Sequence, residues 1–175
     1  MEKITEFMEK TKEAGATEEN ITSSTIIYSP ITGYAGDIST TPDEVFSQKM
    51  MGDGAVLTPS EALIVAPTDG MVEFVFETKH AIGFRTADDV GILIHIGIDT
   101  VKLAGAGFEV LVTDGQDVKK GDALIKVDLT YVGEHAPSLA TPIICTELNE
   151  NQSIKLLKTG EIKTGEPLFA VETKA

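Results

Sequence analysis

Short apolar runs separated by turn residues fill the sequence after residue 24. The runs are rich in Val, Ile, Phe and Thr, and Gly, Pro and Asp recur between them, which is the pattern of consecutive short β-strands. The chain lacks the long crossover helices that a parallel sheet requires. We therefore predict an all-β fold, an antiparallel β-sandwich or closed barrel with a few short helices. The predicted strands are 25–28, 56–59, 62–65, 71–76, 83–86, 91–96, 108–112, 123–127, 142–145 and 167–171, and the predicted helices are 42–46, 100–103 and 129–136.

The first 24 residues have a different texture. Ile4, Phe7 and Met8 form one short helical stripe that ends at Thr11, and polar residues follow. Residues 1–20 carry six glutamates against three lysines, which opposes binding to an anionic membrane surface. We predict that residues 1–24 are a flexible tail or linker remnant and that residues 25–175 form a single domain.

The charge balance excludes several classes of partner. The chain has 14 Lys and Arg against 28 Asp and Glu, a net charge of −14, and no basic cluster offsets it. Nucleic acid is therefore not an expected partner, whereas a basic protein would be attracted. No apolar stretch is long enough for a membrane helix, and the start lacks the apolar core of a secretory signal. With Cys145 as the one cysteine, these features predict a cytoplasmic protein.

The segment "GILIHIGIDT" at 91–100 sets a histidine into an isoleucine-rich strand. Side chains on a strand alternate between its two faces. One face would carry Ile92, Ile94, Ile96 and Ile98. The other would carry Leu93, His95, Gly97 and Asp99, so that His95 points away from the isoleucine row and glycine leaves space beside its ring.

A second histidine follows in "EFVFETKHAIGF" at 73–84. Alternation places one set of side chains on a common face, namely Val72, Phe74, Phe76, Thr78 and His80. Two adjacent antiparallel strands could bring His80 and His95 together across the ladder. Metal binding, acid–base catalysis and phosphoryl acceptance on a ring nitrogen are the chemistries open to such a pair. Zinc needs three or four ligands, and beyond the two histidines there remain carboxylates and His135, which lies in a polar helical stretch. For acid–base catalysis, no carboxylate pair or nucleophile elbow stands out.

The two histidine motifs together resemble a known family. "FETKHAIGF" followed by "ILIHIGIDTVKLAGAGF", with "SPITGYAGDI", "VAPTDGMVEFVF" and "LATPIICTE", is similar to the IIA component of the glucose/β-glucoside/N-acetylglucosamine class of the bacterial phosphoenolpyruvate-dependent sugar phosphotransferase system. The resemblance runs from about Ile26 to Val171. It implies an antiparallel β-sandwich and a phosphotransferase component that takes a phosphoryl group from phospho-HPr and passes it to a IIB domain. The IIB domain phosphorylates sugar as the membrane IIC domain transports it, so contact with the membrane would be indirect.

The resemblance also assigns roles to residues. His95 would accept the phosphoryl group on Nε2, His80 would stabilise that group and assist its delivery, and Thr78 would hydrogen-bond a ring nitrogen and fix its tautomer. The site would be shallow and accessible, since the group must pass between proteins. The implied docking surface for HPr and IIB comprises Asp43, Val45, Phe46, Met50, Met51, Phe76, Leu93, Gly97, Asp99 and Val101. No cofactor is required, and zinc would bind His80 and His95 only with a ligand from a partner.

Two other functions fit parts of the sequence. A repeated "SPITG"/"APTDG" pattern is similar to that of lipoyl and biotinyl carrier domains. These domains need a lysine at a hairpin tip, and in the biotinyl case a methionine stands on each side of it. Here "QKMM" puts Lys49 before both methionines. A regulatory protein whose phosphorylation state changes its contacts is compatible with the phosphotransferase interpretation. The sequence does not separate transport from signalling.

Overall fold

The computed structural model describes residues 21–175, and its largest element is an eight-stranded sheet. In spatial order the strands of this sheet are β13 (Gly160–Ile162), β2 (Gly33–Asp37), β3 (Asp53–Pro59), β11 (Thr141–Cys145), β7 (Gly91–His95), β6 (Ala81–Thr86), β5 (Gly70–Val75) and β9 (Asp117–Val118). All of its neighbouring pairs are antiparallel. Strands β6 and β7, which connect His80 to His95 along the chain, are neighbours in the interior of this sheet.

Two three-stranded antiparallel sheets complete the β-structure. One contains β1 (Ile21–Tyr28), β14 (Pro167–Lys174) and β12 (Gln152–Leu156), and the other contains β4 (Leu63–Val65), β10 (Ala123–Val127) and β8 (Phe108–Val110). The helices are short: α1 (Glu44–Ser47), α2 (Leu129–His135) and two 3₁₀ segments, Ile38–Thr40 and Thr100–Leu103. The predicted all-β antiparallel class is confirmed. Within residues 21–175, no helix has the length and apolar character needed to cross a membrane.

Four strands escaped the sequence analysis, namely β2, β9, β12 and β13. Strand β2 reads "GYAGD" and has no β-branched residue, and β12 reads "QSIKL", where the alternation is confined to Ile154 and Leu156 and is too short to stand out as a strand. Strand β1 begins at Ile21, which pairs with Lys174, rather than at residue 25. The rest of the predicted tail, residues 1–20, lies outside the described residues.

The middle of the large sheet is buried on both faces. In β7, Ile92 and Ile94 belong to the main core, whereas Leu93 belongs to a second, smaller cluster on the opposite face. The members of this second cluster are Ile38, Phe46, Val56, Ala81, Leu93, Ile98, Ala140 and Ile144. His95 shares the face of Leu93, as predicted. The ends of β6 and β7 therefore rest on a packed apolar base.

The alternation in β7 does not continue as far as predicted. The strand ends at His95, and Gly97 takes a left-handed backbone conformation with φ of 73°. Ile98 consequently packs in the second cluster and not with Ile92 and Ile94. Its assignment to the isoleucine face was wrong.

A β-bulge changes which residues of β5 face the core. The register between β5 and β6 shifts between Val72 and Phe74, so Val72 is fully buried while Phe74 is 41% exposed. The predicted common face for these two residues is therefore wrong. The ring of Phe74 instead lies over Gly83 of β6, where a Cβ atom would come within 2.2 Å of the ring.

Candidate functional site

His80 and His95 meet at the ends of two adjacent strands. Ala81, the first residue of β6, pairs with His95, the last residue of β7, and the N–H of Ile96 donates to the carbonyl of His80 at 2.7 Å. The ring centroids are 5.0 Å apart and the ring planes are nearly perpendicular, at 82°. The predicted meeting of the two imidazoles across the ladder is confirmed.

The backbone of Gly97 determines the state of the His95 ring. Its carbonyl oxygen lies 2.8 Å from Nδ1 of His95, and because a carbonyl can only accept, Nδ1 carries the proton. In the neutral ring Nε2 then presents a lone pair. The space beside Gly97 is not open as predicted, since a Cβ atom there would lie 2.6 Å from Cγ2 of Thr100.

Thr78 contacts the other histidine. Its hydroxyl lies 2.7 Å from Nδ1 of His80, so the ring nitrogen that the resemblance left unspecified belongs to His80. Both residues lie in the turn that follows β5, and Lys79 between them adopts a left-handed conformation with φ of 61°. The turn thus places hydroxyl and imidazole side by side.

The two rings differ in their access to solvent. His95 is half-buried, whereas His80 is only 3% exposed, with Phe76 edge-on at a centroid distance of 5.3 Å. His80 is therefore more covered than an open, shallow site implies. Neither Nε2 atom makes a hydrogen bond within residues 21–175, yet no buried side-chain nitrogen or oxygen there lacks a partner. Both Nε2 atoms therefore keep contact with solvent.

Burial makes both histidines weak bases. Burial, followed by the proximity of His95, lowers the pKa of His80 to about 4, with a smaller opposing effect from the Thr78 backbone. Burial also lowers the pKa of His95, opposed by its hydrogen bond to Gly97 and by the carboxylates of Asp43 and Asp99. Both rings are therefore mostly neutral near pH 7, as a nucleophilic imidazole must be.

We expect the His80 ring to titrate with a midpoint near pH 4 in an NMR pH titration. A folded-state pKa below the unfolded value of about 6.5 means that the unfolded chain binds more protons between these values. The free energy of unfolding should therefore fall as the pH drops through this window. Between pH 6.5 and 5, the free energy of unfolding of wild type should fall by about 1.5 kcal/mol more than that of H80Q, measured by urea unfolding. A His80 midpoint near 6.5 would contradict the prediction, and H135Q removes one competing resonance.

The predicted docking residues separate into two layers. The exposed layer contains Val45, Met50, Met51, Phe76 and Val101. Phe46 and Leu93 are each 5% exposed and belong to the second cluster, so their prediction as surface residues was wrong. They support the site from below, and the Phe46 ring centroid lies 4.9 Å from that of His95.

The two predicted rim carboxylates have different local settings. Asp43 is half-buried and caps α1, accepting from the N–H of Val45 at 2.9 Å. Asp99 is exposed, with a left-handed backbone at φ of 55°. Both act electrostatically on the His95 ring, which places negative charge beside it.

Sequence reasoning missed Phe74. Its exposed ring lies 5.5 Å from that of Phe76, centroid to centroid, and extends the apolar surface beside His80. The bulge in β5 concealed it, because simple alternation put Phe74 in the same row as a core valine. Gly83 was the available signal, since a glycine inside a strand marks a bulge or a close approach.

Comparison with known proteins identifies the family. The family model described as "phosphoenolpyruvate-dependent sugar phosphotransferase system, EIIA 1" matches residues 25–151. The glucose-specific EIICBA component of Staphylococcus carnosus (strain TM300) is 48% identical over 147 residues, covering 84% of this chain and 22% of that protein. The glucoside-specific EIICBA component of the same organism is 49% identical over 146 residues, covering 83% of this chain and 21% of that protein. The chain thus spans about a fifth of the length of these relatives.

A solved structure agrees with these matches. The glucose permease IIA structure from Mycoplasma capricolum superposes with a TM-score of 0.80 at 39% identity, covering 85% of this chain and 96% of that one. The match covers nearly all of that IIA structure, and the residues matched by the family model include both histidine strands. The chain belongs to the EIIA 1 family of the phosphoenolpyruvate-dependent sugar phosphotransferase system and is a phosphoryl-carrying component of that system.

Proposed function

We propose that His95 accepts a phosphoryl group from phospho-HPr on Nε2 and passes it to a IIB domain of a sugar permease. In the first step the bond from phosphorus to its donor on HPr breaks as the bond to Nε2 of His95 forms. In the second step the bond to Nε2 breaks as the bond to a nucleophile of the IIB domain forms. The observation that carries this proposal is the hydrogen bond from Nδ1 of His95 to the Gly97 carbonyl. It leaves the lone pair of a neutral imidazole on the atom that keeps contact with solvent.

In this proposal His80 stabilises the transferred group. In the neutral tautomer in which the Thr78 hydroxyl donates to Nδ1, Nε2 of His80 carries a proton and can donate it in a hydrogen bond to a phosphoryl oxygen. Because the pKa of His80 is about 4, the ring is neutral before the phosphoryl group arrives, and it offers a neutral N–H as the donor. The incoming negative charge would then raise that pKa and strengthen the bond. Such positioning and charge compensation are what phosphoryl transfer requires of a protein.

The exposed apolar residues around the pair support a docking role. Val45, Met50, Met51, Phe76 and Val101 are all exposed, the Phe76 ring lies edge-on to His80, and the carboxylates of Asp43 and Asp99 act on His95. Methionine side chains adapt to different surfaces, so one patch could serve both HPr and IIB. The net charge of −14 would accelerate encounter with a basic partner.

We expect the M50E variant to slow phosphoryl transfer from HPr by on the order of tenfold at subsaturating HPr, because a charge replaces an exposed apolar contact. L157E is the matched control, since Leu157 is also exposed but follows β12 in another sheet. Both variants change the net charge equally. Transfer rates at several HPr concentrations make the comparison, and equal slowing of the two variants would contradict this docking surface.

We also propose that zinc binds His80 and His95 only when a partner protein supplies a further ligand. Zinc in proteins takes three or four protein ligands, and within residues 21–175 no group of three or more His, Cys, Asp and Glu side chains could hold a metal ion. The two imidazoles would therefore need a ligand from a partner protein.

We also propose a cytoplasmic location, which suits the single, buried Cys145 thiol.

The test of the proposed function is direct. The protein is incubated with phosphoenolpyruvate, enzyme I and HPr, and its intact mass is measured. We expect an added mass of one phosphoryl group that is lost in acid and stable in base, as for a phosphoramidate. No added mass, or an acid-stable one, would overturn the proposal.

A further inference from the structure

We propose that Thr100 and Thr141 are positioning residues that hold the Gly97 carbonyl on Nδ1 of His95. The inference rests on the proposed function, because it concerns which nitrogen of His95 is free to react. Both threonines are fully buried, with 0% exposure, and both act through the backbone around Gly97. They belong to different elements, Thr100 to a 3₁₀ segment and Thr141 to β11.

The Gly97 carbonyl needs such support because it lies beyond the sheet. Strand β7 ends at His95, and the left-handed backbone at Gly97 turns its carbonyl back toward the ring. A rotation of this peptide would withdraw the acceptor from Nδ1. The ring could then adopt the other neutral tautomer, with the proton on Nε2, and that nitrogen would no longer be nucleophilic.

Thr100 fixes the peptide that precedes Gly97. Its hydroxyl donates to the carbonyl of Ile96 at 2.6 Å. Its Cγ2 methyl lies 2.6 Å from the position that a Cβ atom at Gly97 would take, so it fills the space beside the glycine. One side chain thus restrains both the hydrogen bonding and the packing of this turn.

The segment 138–141 restrains the same turn from the other side. The Thr141 hydroxyl donates to the carbonyl of Leu139 at 2.9 Å and accepts a longer bond from the N–H of Gly97 at 3.4 Å. The N–H of Ile98 donates to the carbonyl of Ser138 at 3.0 Å. Because Ile98 N–H and the Gly97 carbonyl belong to one peptide group, that bond also polarises the carbonyl that His95 uses.

The experiment compares T100V and T141V with T100S and T141S. Valine keeps the shape of threonine and removes the hydroxyl, whereas serine keeps the hydroxyl. Long-range ¹H–¹⁵N spectra of the unphosphorylated protein report which nitrogen of His95 carries the proton. We expect Nδ1 protonation in wild type and both serine variants. In the valine variants the Nε2-protonated form should appear, and phosphoryl acceptance from HPr should fall about tenfold.

Two results would overturn the inference. One is a pair of folded valine variants with wild-type tautomer and wild-type acceptance. The other is slower acceptance with an unchanged tautomer, which a general loss of stability would produce. Alanine replaces valine at a position where the valine variant does not fold. The tautomer is measured in the absence of HPr and IIB. A wild-type protein that takes no phosphoryl group from HPr would therefore refute the proposed function, while the spectra would still decide this inference.

Discussion

The H95Q variant should carry no phosphoryl group when it is incubated with phosphoenolpyruvate, enzyme I and HPr. Glutamine approximates the length of histidine and retains hydrogen-bonding groups, but its amide nitrogen has no lone pair available for attack on phosphorus. The ring environment should survive, because Phe46 and Leu93 pack in the apolar cluster below it. We therefore expect complete loss of the added mass rather than partial slowing.

The control for this result is H135Q. His135 lies at the end of α2, exposed and stacked on Tyr131 with ring centroids 4.1 Å apart. It has no place in the proposed site, so H135Q should be labelled as fully as wild type. A phosphorylated H95Q protein would show that His95 is not the acceptor, and a folded H135Q protein that is not phosphorylated would show that the loss is not specific to His95.

The H80Q variant should separate the two halves of the relay. The Nε2 lone pair of His95 depends on Gly97 and not on His80, so H80Q should still accept the phosphoryl group at a rate within a few-fold of wild type. Delivery to a purified IIB domain should fall on the order of 100-fold, because a hydrogen bond that stabilises the transferring group is lost. Single-turnover transfer from the labelled protein to IIB measures this step by itself.

A matched pair of variants at Thr78 serves as the control for this role. T78S keeps the hydroxyl beside Nδ1 of His80 and should deliver normally, whereas T78V should show part of the H80Q defect. Equal delivery by H80Q and wild type would remove His80 from the mechanism. Loss of acceptance in H80Q as severe as in H95Q would instead show that the pair acts as one unit.

Strand alternation predicted the most important feature of the site. In "GILIHIGIDT" the β-branched residues at every second position had to face the core, which left His95 on the opposite face. The position of His80 fifteen residues earlier matched one antiparallel turn, and the two rings do meet at 5.0 Å. Local pattern was sufficient here because both histidines sit where regular strands begin or end.

The same reasoning failed where the backbone departs from regularity. Within β5 itself no residue indicated that the register would shift by one, and the one signal, Gly83, lies on the neighbouring strand, so Phe74 was assigned to the wrong face. The left-handed turn at Gly97 likewise moved Ile98 into a different cluster. Both errors follow from non-local packing, since the neighbouring strand selects the bulge and the segment 138–141 braces the turn.

The sequence also did not predict which of the docking residues are buried and which are exposed. Phe46 lies in α1 and Met50 lies three residues beyond its end, and the two have similar apolar character, yet one is buried and the other is exposed. Only the position of α1 against the second cluster separates them. The resemblance to a family supplied the surface as a set, and the three-dimensional arrangement divided that set into contact and support.

The His95 ring can be approached from few directions. Phe46 and His80 each lie about one ring width away, and the Gly97 carbonyl occupies the Nδ1 edge. Within residues 21–175 these groups leave the Nε2 edge open, so under the proposed function donor and acceptor would bind there in turn. A carrier with one shared binding site would follow ping-pong kinetics. Dephosphorylated HPr that dissociates slowly would then compete with IIB, and turnover would depend on the dissociation rate of each partner as well as on the rate of phosphoryl transfer.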